Sequence, residues 1–104
     1  MLLVELSMFP IDKGESLSPY VSRVLEVIDK SGLHYKLNSM GTVIEGEWEE
    51  VMELVKKCHQ ELEKDCNRIS TLIKIDYRKG NISRIEAKIK AVEKILGRSL
   101  MKQG

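Results

Sequence analysis

Aromatic side chains are scarce in this chain: one Phe, one Trp and three Tyr among 104 residues. Modules that read single-stranded RNA stack bases on aromatic rings displayed by a sheet, and the third strand inferred from periodicity holds none, which excludes that class. Cysteine is as sparse. Cys58 and Cys66 are too few for a disulfide framework, and with His59 they match no zinc-binding spacing, so reduced thiols and no metal are expected. Neither sign of charge dominates. Seventeen Lys and Arg stand against sixteen Asp and Glu, without the excess of basic residues that marks a nucleic-acid partner. Nowhere do eighteen apolar residues run together, and the start, "MLLVELSMFPIDKGES", is interrupted by Glu5 and has no positive leader. A cytoplasmic chain without a membrane partner is the expectation. With two prolines, no low-complexity tract and 42% hydrophobic residues, the chain has the composition of one globular domain, residues 1–104.

The hydrophobic period alternates between two and about 3.6. Leu2, Val4, Leu6 and Met8 alternate with Leu3, Glu5, Ser7 and Phe9 up to Pro10, a strand pattern. Ser18 suits an N-cap and Pro19 a first turn, and Tyr20, Val24, Val27 and Ile28 then mark a helix that Gly32 stops. Leu33, Tyr35 and Leu37 alternate up to a turn at Ser39 to Gly41, and Thr42 to Gly46 completes a hairpin. Trp48, Val51, Val55, Cys58 and Leu62 form a second helical stripe behind an acidic first turn, ending near Asp65. Trp48 is expected to anchor a core or an interface. "RISTLIKIDYRKG" reads as a long fourth strand. Ile82, Ile85, Ile89, Val92 and Leu96 then mark a third helix, closed by Gly97.

Strand, helix, strand, strand, helix, strand, helix, with right-handed crossovers, predicts an α+β ferredoxin-like βαββαβ sandwich with an added C-terminal helix. The expected antiparallel sheet order is 4-1-3-2, with two helices on one face. Leu2, Val4, Leu6, Tyr35, Leu37, Ile44, Ile69, Ile73 and Ile75 are assigned to the helix-covered side. The opposite face collects Glu5, Ser7, Phe9, His34, Asn38, Glu45, Leu72 and Lys74, a mixture too apolar for a surface that meets only water. On it, the central strands present two carboxylates, Glu5 and Glu45, with Arg68 and Lys74 to one side and Asn38 to the other.

The stretches "VELSMFP", "GLHYKLNSMGTVIEGEWEEVM" and "CNRISTLIKIDYRKG" resemble the small thiamine-binding-protein (YkoF-like) family over Leu3 to about Leu96. The resemblance implies a ferredoxin-like subunit, a homotetramer built as a dimer of dimers, and binding of thiamine or its hydroxymethylpyrimidine part without catalysis. The family pattern falls on Met40, Gly41, Thr42, Glu45 and Gly46, and on Arg68, Thr71, Asp76 and Arg78. An aminopyrimidine joined to a cationic thiazolium needs hydrogen-bond acceptors, a flat apolar wall and negative potential. Glu5 and Glu45 could supply charge, and Ser7, Asn38 and Thr42 could orient polar atoms. Phe9 and Met40 could form the wall, with Arg68 beside the carboxylates completing the candidate ligand set.

Each feature also has a plainer explanation. Glu45 could pair with Arg68, Lys74 or a partner subunit, because a half-buried carboxylate needs a partner either way. Gly41 and Gly46 could serve only the hairpin and the entry to the second helix. An acylphosphatase-type enzyme would need an arginine in an anion-binding loop after the first strand, where this chain has Lys13 and acidic residues. The remaining alternative is a structural or regulatory homo-oligomer with no vitamin ligand, assembled through the apolar residues of the open sheet face.

Overall fold

A computed structural model describes residues 1–101. Its elements are β1 (Leu2–Pro10), α1 (Ser18–Lys30), β2 (Tyr35–Asn38), β3 (Gly41–Gly46), α2 (Trp48–Glu63), β4 (Ile69–Tyr77) and α3 (Ala87–Leu96). The four strands form one antiparallel sheet in the order β2-β3-β1-β4. That is the expected order, with β1 and β3 central.

The register puts Leu2, Val4 and Leu6 opposite Gly46, Ile44 and Thr42. The same side of β1 is buried from Leu2 to Met8, and α1 and α2 close over it with Val24, Ile28, Val51, Leu54, Cys58 and Leu62. Full burial of an isoleucine such as Ile28 contributes roughly 1.5–3 kcal/mol. Every buried hydrophobic residue of this core lies between Leu2 and Cys66. Trp48, expected as an anchor, stands half-exposed at the start of α2.

Local chemistry sets the helix ends. Leu17, and not Ser18, occupies the cap position of α1. Ser18 is already helical, and its carbonyl accepts a bond from the Ser22 hydroxyl at 2.7 Å. At the start of α2 the Glu47 N–H donates to the Glu50 carboxylate at 3.0 Å, which satisfies one of the free donors of the first turn. Gly97 ends α3 in the left-handed region at φ 69°.

Three expectations need correction. Ile73 and Ile75 are on the helix-facing side but remain 39% exposed, because α1 and α2 pack over β1 and β3 and stop short of β4. Leu37 is 53% exposed because it borders a cavity and not a packed wall. The third helix begins at Ala87 and not at Ile82. The segment before it is held in an irregular path by the sheet, and α3 itself buries no residue. The radius of gyration is 15.1 Å, against about 13 Å for a compact chain of this length. The excess reflects a helix standing off the body.

Candidate functional site

β1 is longer than its neighbour. Its pairing with β3 runs only from Leu2 to Leu6, so from Ser7 onward the strand has no partner on that side and a notch opens between it, the hairpin tip and α1. Gly41 lets the hairpin come close at this point. A Cβ there would lie 3.1 Å from the Leu6 carbonyl oxygen and 3.5 Å from the Glu5 side chain. The notch is a cavity of about 180 Å³. Leu17 with Val21 and Leu25 of α1 line its apolar side, and Ser7, Asn38, Ser39 and Thr42 are its polar lining residues.

Five of the residues proposed from sequence meet here: Ser7, Phe9, Asn38, Met40 and Thr42. Thr42 is buried and Met40 is 89% exposed at the hairpin tip, so they mark the floor and the rim. No charged side chain lines the cavity among the described residues. The other three candidates lie elsewhere. Glu5 is exposed on the open sheet face between Val43 and Lys74. Arg68 precedes β4, with its carbonyl accepting the Ile11 N–H at 2.8 Å and its side chain in solvent. Glu45 is three residues along β3 from Thr42, about 10 Å away.

Glu45 has its own constellation. Its side chain is 3% exposed and accepts the Ser83 hydroxyl at 2.6 Å, the Arg84 backbone N–H, and His34 Nδ1 at 3.1 Å. Burial by itself would raise the carboxyl pKa, but the Arg84 N–H, the Ser83 hydroxyl and His34 outweigh it and hold the group below its ordinary value. Arg84 continues the arrangement by donating to the Asp76 carboxylate and to the Asp76 carbonyl, each at 3.0 Å. Lys36 reaches Glu86 at 3.2 Å. Residues 83–86 therefore form a strap laid across the open sheet face, with Glu45 as its buried anchor. Both oxygens of Glu45 are engaged within the chain, and its partners are neither Arg68 nor Lys74. Sequence reasoning missed Ser83 and Arg84. The available signal was a carboxylate in mid-strand, which requires donors from somewhere.

Cys58 and Cys66 are both unpaired and buried, and burial pushes the Cys58 thiol up to about 11, far from the reactive range. Among the described residues no group of His, Cys, Asp and Glu could hold a metal ion, and no helix is long and apolar enough to cross a membrane.

The model of the family described as "Thiamine-binding protein" matches residues 4–93. The chain belongs to that family. Among thiamine-binding-protein relatives, a UPF0045 protein of Methanocaldococcus jannaschii is 38% identical over 91 residues, covering 88% of this chain and 91% of the relative. A UPF0045 protein of Mycobacterium tuberculosis is 35% identical over 91% of this chain and 94% of its own length. The crystal structure of the M. jannaschii protein superposes with a TM-score of 0.80 over 88% of this chain and 94% of that one. A Thermotoga maritima structure, named as a candidate thiamine biosynthesis/salvage protein, has a TM-score of 0.77 at 31% identity, over 88% of this chain and 97% of that one. The name of the family describes binding and not a reaction.

Proposed function

We propose that this chain is a non-catalytic binding protein that takes the hydroxymethylpyrimidine part of thiamine into the notch beside β1. The observation that carries the proposal is the convergence of Ser7, Asn38 and Thr42 with Phe9 and Met40 around one small neutral cavity, in a chain of the thiamine-binding protein family. Drug-sized ligands occupy about 300–1,000 Å³. A cavity of about 180 Å³ suits a single substituted ring, and hydroxyl and amide side chains suit the amino group and ring nitrogens of an aminopyrimidine. The uncharged lining supports the neutral pyrimidine over the cationic thiazolium.

We propose further that the chain is a single ferredoxin-like unit and that it acts as a homotetramer. Two features favour assembly. β4 is a nine-residue edge strand with its outer backbone groups unpaired and with Ile73, Ile75 and Leu72 exposed. α3 carries Val92, Ile95 and Leu96, which remain 38%, 84% and 49% exposed. These features also favour the second reading, a structural homo-oligomer with no vitamin ligand.

Calorimetric titration with hydroxymethylpyrimidine and with thiamine separates the readings. The expected result is saturable heat with the pyrimidine, lost in the Ser7→Ala/Asn38→Ala variant, with the ligand recovered unchanged. No heat and no shift in melting temperature at millimolar ligand would leave the structural oligomer as the answer.

A further inference from the structure

At the far end of β1 the chain makes a second small cavity, of about 170 Å³, lined by Met1, Arg78, Lys79, Gly80, Ile82 and Arg84. The loop after β4 wraps around the first residue. The Met1 amino group donates to the Arg78 carbonyl at 2.8 Å and to the Gly80 carbonyl at 2.9 Å. Those two loop oxygens are thereby engaged by the Met1 amino group. Arg84, 10% exposed, forms the back wall. Its guanidinium is fixed by the Asp76 carboxylate, the Asp76 carbonyl and the Met1 carbonyl at 3.3 Å.

The charges around this cavity do not balance. Asp76 pairs with Arg84, and Glu47 lies 3.9 Å from the Met1 amino group. Arg78 and Lys79, both exposed lining residues, have no ion-pair partner among the described residues, so two cations at this cavity are left unbalanced. A glycine sits beside them at φ 105°, a conformation that side chains rarely adopt, and this bends the loop around the cavity. At roughly 30 Å³ per water, the space equals about five to six waters, enough for one tetrahedral oxyanion with part of its hydration.

From this geometry we infer that the Met1 end of the sheet is an anion site for a phosphoryl group, held by Arg78 and Lys79 against the fixed wall of Arg84. Arg supplies paired donors matched to phosphate oxygens, and Lys supplies a mobile point charge. The site is separate from the notch. Leu2 and Ser7 are five residues apart on an extended strand, about 17 Å, so one small ligand does not bridge both.

The test is calorimetric titration of the full chain with inorganic phosphate and with phenyl phosphate at constant ionic strength. Saturable binding is expected at millimolar concentration or below, and Arg78→Ala/Lys79→Ala should weaken it by at least about tenfold, the loss of one charge-assisted hydrogen bond or more. Both substituted residues are exposed and outside the core, so the variant keeps its melting temperature. Equal binding of the ester assigns the phosphoryl group of an organic phosphate, and binding of inorganic phosphate alone assigns the free ion. No saturable heat with either probe, or unchanged affinity in the double variant, overturns the inference. Neither outcome bears on pyrimidine binding at the notch, which is titrated separately.

Discussion

Replacing Glu45 with Gln tests what the buried carboxylate does. Glutamine keeps the shape and one carbonyl oxygen, which can still accept the Arg84 N–H. The second oxygen becomes an NH2 group facing the Ser83 hydroxyl and His34 Nδ1. The hydroxyl can turn to accept from it, and a neutral His34 can accept its other hydrogen at Nδ1, so the loss is charge assistance on the bonds to Ser83, Arg84 and His34. Hydrogen bonds to a charged group contribute about 1.5–3 kcal/mol each and neutral ones about 1. The variant should therefore loosen the strap by about 2 kcal/mol, or about 30-fold in its opening equilibrium. No discount for solvent applies to a side chain that is 3% exposed. When the strap lifts, the open sheet face meets water while the core between the sheet and the two helices stays closed. The effect belongs in local opening and not in global unfolding. Amide hydrogen exchange reads it directly: the Arg84 N–H should lose about 30-fold protection in Glu45→Gln, while amides of β1 and α2 change little. Unchanged exchange at Arg84, with a melting temperature lowered throughout, would refute the strap and place the carboxylate in the support of the body.

Acid should release the same strap. Glu45 has its pKa below the ordinary value of 4.5, so the stability it gives is present above that value and is lost as pH falls through the folded pKa; Glu86, lowered by Lys36, shifts in the same direction. Exchange at Arg84 followed below pH 4.5 should rise in the parent chain, and the Glu45→Gln variant should lose most of that dependence. Gly46→Ala adds a Cβ 3.1 Å from Val51 Cγ2 and 3.5 Å from both Leu33 methyls, and this overpacking should cost about 1–2 kcal/mol, seen as a lowered urea midpoint at constant slope. Ile75→Lys, on the uncovered part of β4, should shift the sedimentation coefficient toward the monomer with the circular dichroism unchanged; an unaltered oligomer would exclude β4 from the interface.

The order of elements was legible because each has a clear period, and the faces were legible because the alternation of Leu2, Val4 and Leu6 directs all three to one side. The notch was legible only as a set of residue types. Its geometry comes from a difference in strand length, nine residues in β1 against six in β3, which brings Ser7 and Phe9 beyond the reach of β3 and beside the hairpin tip. The partners of Glu45 were not legible. Ser83 and Arg84 are 38 and 39 residues away, and Ile82, Ile85 and Ile89 have the spacing of a helix. Tertiary hydrogen bonds prevailed over that local pattern, and the helix starts one turn and more later. Ser18 shows the same limit on a smaller scale, since its residue type suits a cap but the chain begins to coil one position earlier.

The fully buried hydrophobic residues lie between Leu2 and Cys66, so what β4 adds to the body is chiefly backbone pairing along β1. Until β4 has been made, the nine residues of β1 have no partner on that side. β4 then pairs antiparallel along all nine residues of β1, from Leu2 opposite Tyr77 to Pro10 opposite Ile69. A newly made chain thus holds an open β1 edge until its own β4 reaches it, and in that interval a neighbouring chain's β4 can compete for the same place.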